Sequence, residues 1–83
     1  MRLLYFAWLK QKIGHSEEEI TLPDSVTNVE QLLAWLTKRG ENYAAAFSDP
    51  KLVRVAVNQE YARPGDPVKE GDEVALFPPV TGG

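Results

Sequence analysis

The residues best arranged to do chemistry are the last six, Pro78-Pro79-Val80-Thr81-Gly82-Gly83. At 3.3 to 3.6 Å per extended residue, such a segment reaches about 20 Å. Each proline fixes its own φ, so the root is stiff. Less of the roughly 1 to 2 kcal/mol per residue of ordering cost then remains to be met when a partner grips it. The two glycines remove every side chain from the tip, so a terminal carboxylate there fits a narrow channel. The chemistry on offer is that of an acyl group presented on an arm. A frayed end is the competing explanation, and the stiff apolar stem Phe77-Pro78-Pro79-Val80 argues against it.

Other candidates are weaker. His15 is the single histidine and sits beside Gly14, next to Glu17-Glu18-Glu19. A zinc site needs at least three converging protein ligands, so His15 reads as a surface residue and the glutamates as charge protecting an edge strand. Asp66, Asp72 and Glu73 lack the alternating oxygen ligands of a calcium loop and read as turn formers. Gly65 and Gly71 are isolated in turns, which leaves no phosphate-binding loop, so the chain is not expected to bind ATP itself. Ser16, Ser25 and Ser48 have no base in the same loop.

Composition narrows the class. At 83 residues the chain is one domain with one core, too small for an enclosed catalytic cleft. Cysteine is absent, which excludes disulfides, thiolate catalysis and Cys-ligated zinc. The net charge is -3 and no basic run exceeds Lys38-Arg39, so no nucleic-acid partner is expected. No apolar run approaches the ~20 residues of a membrane span, and Met1-Arg2 leads into alternation instead of a signal peptide. The expectation is a cytoplasmic protein with no membrane association.

The elements that must hold the tail follow from periodicity. Residues 2–9, apolar on both parities, predict a central strand buried on two faces, with 10–14 as a turn or helical stub. Residues 17–22 predict a second, half-exposed strand. A helix is predicted from Thr27, capped with Glu30 in a capping box, carrying the stripe Val29, Leu32, Leu33, Leu36 and ending at Gly40 in the left-handed position. A shorter helix is expected over 42–47. Val53, Val55 and Val57 alternate as a third strand, Asn58-Gln59 turns, and Tyr61-Ala62 pairs briefly. Residues 63–67 form a loop, and 73–77 form the last strand, ended by Pro78-Pro79. The order ββαβ(β)β predicts an α+β two-layer domain. One helix covers one sheet face. If Leu3, Tyr5 and Ala7 face it, Phe6, Trp8 and Phe77 point outward, forming a protein-binding patch unless the 42–47 helix folds over them.

The ending Gly71-Asp72-Glu73-Val74-Ala75-Leu76-Phe77-Pro78-Pro79-Val80-Thr81-Gly82-Gly83, with Val57-Asn58-Gln59 and Tyr5-Phe6-Ala7 through Gly14, resembles the small, sulfur-carrying subunits of molybdopterin synthases. The resemblance covers nearly the whole chain. It implies the ubiquitin-like β-grasp fold: a mixed sheet of four to five strands on one main helix over residues 1–77, with 78–83 as an extended tail. It also implies parallel pairing within the sheet.

By the same resemblance, an ATP-dependent adenylyltransferase of the ubiquitin-activating type adenylates the Gly83 carboxylate. A persulfide donor then supplies sulfur, leaving a C-terminal thiocarboxylate. Thr81, Gly82 and Gly83 enter the large subunit of the synthase, in a heterotetramer, to sulfurate a pterin precursor. Phe6, Tyr61, Phe77, Pro78, Pro79 and Val80 match the partner interface, while Trp8 departs from the family pattern. No cofactor and no metal is implied for the chain itself, which is expected to be a donor and not an enzyme alone. The alternatives are a β-grasp carrier for thiamine synthesis or tRNA thiolation, a modifier conjugated to lysines, or a plain binding module. The Phe-Pro-Pro-Val stem speaks against thiamine synthesis.

Overall fold

Apolar residues at alternate positions on three strands meet the stripe of one helix, and that encounter builds the core. The computed structural model describes residues 1–79. The elements run β1 (Arg2–Tyr5), α1 (Ala7–Ile13), β2 (Glu17–Glu19), α2 (Val29–Thr37), α3 (Glu41–Ala46), a 3₁₀ turn (Pro50–Leu52), β3 (Arg54–Val57), β4 (Glu60–Ala62) and β5 (Glu73–Phe77). The five strands lie in the order β2-β1-β5-β3-β4. β1 and β5 pair in parallel and every other pair is antiparallel. Leu3, Tyr5, Val55, Val74 and Leu76 point inward onto Val29, Leu32 and Leu36 and are buried. Each such side chain contributes about 1.5 to 3 kcal/mol relative to its exposed state. This is the α+β mixed sheet on a main helix that the sequence predicts.

The strand expected over 2–9 stops at Tyr5, and α1 occupies the rest. Ala7 has φ 55° and turns the chain out of the sheet. Leu9 and Ile13, four residues apart, are buried on one side of α1. Gly14, at φ 102°, closes the helix with its N–H on the Lys10 carbonyl. A short apolar run satisfies a strand period and a helix period equally, which is why periodicity alone misassigned it. Trp8 therefore lies on α1, half-buried against the core, and does not point outward from a strand. The second strand also ends early, at Glu19, while Ile20 and Leu22 pack partly against the core.

The α2 cap sits one residue later than expected. Asn28 Oδ1 accepts the Gln31 N–H at 2.8 Å, while Gln31 Oε1 accepts from both the N–H and the hydroxyl of Thr27. Gln31 thus takes the reciprocal role expected of Glu30. Gly40 does not close α2. It has extended backbone (φ 164°) and precedes α3, while Lys38 closes α2 in a right-handed conformation. α3 packs against α1 and α2: Tyr43 and Phe47 are buried, and Asn42 Nδ2 donates to the Ile13 carbonyl at 2.7 Å. All three helices share one layer, so α3 does not fold over the opposite face of the sheet.

The start of β5 is pinned by the β3–β4 turn. Asn58 and Gln59 both have positive φ (51° and 71°), the geometry of a tight hairpin. Asn58 N–H donates to the Glu73 carbonyl at 2.7 Å, and Asn58 Oδ1 accepts the Glu73 N–H at 3.0 Å. Its amide also donates to the buried Asp72, whose second oxygen accepts the Lys69 N–H. Asp72 is therefore a turn former, as its composition context predicts. This network sets the register of the strand that leads into the tail.

Candidate functional site

β5 alternates Val74 and Leu76 inward with Glu73, Ala75 and Phe77 outward. Register places the outward side chains of the other strands around them. Leu4 and Ala56 lie opposite Ala75, and Tyr61 lies opposite Ala56. Phe6 continues β1 beyond Tyr5 in extended conformation, with its N–H on the Leu76 carbonyl at 3.1 Å, so it stands level with Phe77. The Tyr61 and Phe77 rings are 5.9 Å apart between centroids and tilted by 58°. Phe6 and Tyr61 remain 48% and 80% exposed, and Phe77 is half-buried. The expected interface residues Phe6, Tyr61 and Phe77 thus share one face, at the end of the sheet where β5 leaves.

Pro78 and Pro79 follow directly and are half-buried. Lacking N–H groups, they cannot extend the β3–β5 ladder past Phe77. The expected tail residues Val80, Thr81, Gly82 and Gly83 lie outside the described residues.

Sequence reasoning missed Leu52, which is 47% exposed immediately before β3. It ends the 3₁₀ turn Pro50–Leu52, outside the β3–β5 ladder, whose last pair is Arg54 and Phe77. Its signal was present: it breaks the parity of Val53, Val55 and Val57 while being equally apolar.

Glu18 is not the solvated edge charge that its neighbours Glu17 and Glu19 are. It lies opposite Leu3 on the inner side of β2 and is only 15% exposed. Its carboxylate accepts from the Tyr43 hydroxyl at 2.8 Å and is bonded by Arg39 and His15. The Arg39 guanidinium lies 5.2 Å from the Trp35 ring and 4.9 Å from that of Tyr43, within cation–π range. His15 is edge-on to Tyr5, whose burial, with Tyr43 next, pushes its phenol well above the ordinary range. Among the described residues no group of three or more acidic or histidine side chains could hold a metal ion, and no helix is long and apolar enough to cross a membrane.

A mixed five-stranded sheet in this order, with one helical layer and an uncovered apolar face at the chain's exit, defines a ubiquitin-like β-grasp domain. The chain belongs to the ThiS family, which matches residues 3–83. It is 39% identical over 83 residues to the molybdopterin synthase sulfur carrier subunit of Haemophilus influenzae, covering 100% of this chain and 99% of that one. Among solved structures it is similar to a putative molybdopterin converting factor subunit 1 from Pyrococcus furiosus, at 36% identity and a TM-score of 0.76, with 95% of each chain covered. It is also similar to the small archaeal modifier protein 1 of Haloferax volcanii, at 30% identity and a TM-score of 0.76, covering 96% and 97% of the two chains.

Proposed function

We propose that this chain is the sulfur carrier of a molybdopterin synthase, delivering sulfur from a thiocarboxylate at Gly83 to a pterin precursor. One observation carries the reading: the apolar face of Phe6, Tyr61 and Phe77 runs directly into the proline-stiffened root of the tail. The full-length similarity to a named sulfur carrier supports it. The face docks a partner while the arm reaches about 20 Å into it.

The chemistry follows from what a carboxylate lacks. It is a poor electrophile, and adenylation by an ATP-dependent activating enzyme gives it AMP as a leaving group. Sulfur from a persulfide donor displaces the AMP, and thiol cleavage of the resulting S–S bond leaves –C(=O)S⁻. That group is a sulfur nucleophile in a protein without cysteine. Thr81, Gly82 and Gly83 then enter the large subunit, with Pro78, Pro79 and Val80 at the mouth. The chain supplies sulfur and a docking surface, and its partners supply catalysis. In this reading the chain needs no cofactor of its own and works in the cytoplasm.

The similarity to an archaeal modifier protein favours a second use of the same terminus, acyl transfer to a lysine. Deleting Gly83, or adding one residue after it, separates both uses from plain binding. Either change should abolish sulfur delivery while folding and association with the large subunit persist. Delivery unaffected by both changes would refute the carrier reading.

A further inference from the structure

The row of α2 that is buried in the core is Val29, Leu32 and Leu36. A second row, Glu30, Leu33, Ala34 and Thr37, repeats at i, i+3, i+4 and i+7 on a neighbouring face of the same helix. It lines a groove of about 480 Å³, together with the buried Phe47 and Val53. That volume is within the usual range of binding pockets. Pro50 and Pro64 complete the lining, and backbone bonds hold both in place. The Glu30 N–H donates to the Pro64 carbonyl at 2.8 Å, and the Val53 N–H donates to the Pro50 carbonyl at 3.2 Å. The groove is therefore preformed, and it shares no residue with the outer sheet face of Phe6, Tyr61 and Phe77.

Its polar groups are few. The Thr37 hydroxyl donates to the Leu33 carbonyl at 2.7 Å and is satisfied within the helix. Among the described residues, Glu30 is the only charged side chain lining the groove. It is exposed and makes no ion pair among them. Lys51 and Arg63 are chain neighbours of the two prolines, but neither lines the groove. An occupant thus meets hydrocarbon along most of the groove and one carboxylate near the start of α2. Glu30 and Ala34 are one turn apart, about 6 Å along the helix. Side chains two positions apart on an extended chain are about 7 Å apart.

We infer that this groove docks an extended segment of a partner protein in which an aliphatic residue and a lysine or arginine lie two positions apart. The aliphatic side chain packs against Leu33, Ala34 and Phe47, and the cation meets Glu30. Apolar burial supplies most of the affinity, and the charge selects the register. An acidic segment is repelled at the same place. Because the groove and the outer sheet face share no residue, an occupant leaves the sulfur carrier's docking surface free. The groove is thus a second contact site, and it does not depend on the carrier reading.

The test titrates the capped peptide acetyl-Ala-Leu-Ser-Lys-Ala-amide into the isotope-labelled full chain and follows backbone amide shifts by NMR. Two further peptides carry glutamine or glutamate in place of the lysine. Shifts should be confined to the groove-lining residues. The lysine peptide should bind about two- to fivefold more tightly than the glutamine one, the range of an exposed ion pair, and the glutamate peptide should bind most weakly. Glu30→Gln should erase that ranking while keeping the affinity for the glutamine peptide. Ala34→Leu, a good helix former at an exposed position, should fill the groove and weaken all three. Thermal melts establish that both variants fold. No shifts at millimolar peptide, shifts centred on Phe6, Tyr61 and Phe77, or a ranking that survives Glu30→Gln would each overturn the inference. So would groove shifts that grow with protein concentration alone, which would assign the groove to a second copy of the chain. The carrier reading would stand in every case.

Discussion

The ring of Tyr61 on β4 leans across β3 onto that of Phe77 on β5, with centroids 5.9 Å apart. The two residues sit on strands that are not neighbours, so their contact ties the sheet edge to the strand carrying the tail. Phe77→Ala should weaken association with the large subunit by about 2 kcal/mol or more, the order of an aromatic hot spot. A double-mutant cycle with Tyr61→Ala should return a coupling of about 0.5 to 1.5 kcal/mol. Calorimetric titration measures both.

Gln59 holds a left-handed conformation at φ 71°, which costs a residue with a side chain roughly 1 to 2 kcal/mol. Gln59→Gly should stabilise the domain by about 0.5 to 1 kcal/mol once the extra freedom of glycine in the unfolded chain is counted. Asn58→Ala should do the reverse, at about 2 kcal/mol, since it strands Asp72 and releases Glu73. Urea unfolding reads both shifts.

Glu18 and its neighbours make a clean contrast. Glu18→Ala removes the acceptor shared by Tyr43, His15 and Arg39 and should cost about 2 kcal/mol. Glu19→Ala, at an exposed position, should stay within about 0.5 kcal/mol of wild type. Trp35 fluorescence should change with Glu18→Ala, because Arg39 loses the partner that holds it against the ring.

Glu70 accepts from the Met1 ammonium at 2.9 Å and from the Leu22 N–H at 2.7 Å. These bonds, the ammonium first, hold its carboxyl below the ordinary range. A folded-state value lower than the unfolded one means stability that is full above the ordinary carboxylate range and lost as pH falls through the folded-state value. The stability gap between wild type and Glu70→Gln should therefore be constant near neutrality and close on acidification. A gap independent of pH would contradict the assignment.

Much of this was legible in residue order. Val74 and Leu76 against Phe77, the turn at Asn58-Gln59 and the stripe of α2 each have one period or one chemistry that fits. The failures have a common cause. Residues 2–9 suit two periods, and only the positive φ of Ala7 decides between them. Thr27 and Asn28 are both cap formers by type, Asn the stronger, but the Thr27–Glu30 spacing pointed to Thr27, whereas it is Asn28 whose Oδ1 accepts the Gln31 N–H. Glu18 looks like its flanking glutamates until β2 pairs with β1 and turns it toward Tyr43 and Arg39. Leu52 was passed over because a lone exposed leucine means little.

The central claim is that Gly83 carries the reactive group, and intact mass tests it most directly. The protein is incubated with ATP, its activating enzyme and a persulfide donor, and its mass is compared with a reaction lacking ATP. The account expects exchange of one oxygen for one sulfur, confined to the C-terminal peptide and absent without ATP. An unchanged mass, with the activating enzyme proven active on another carrier, would contradict it.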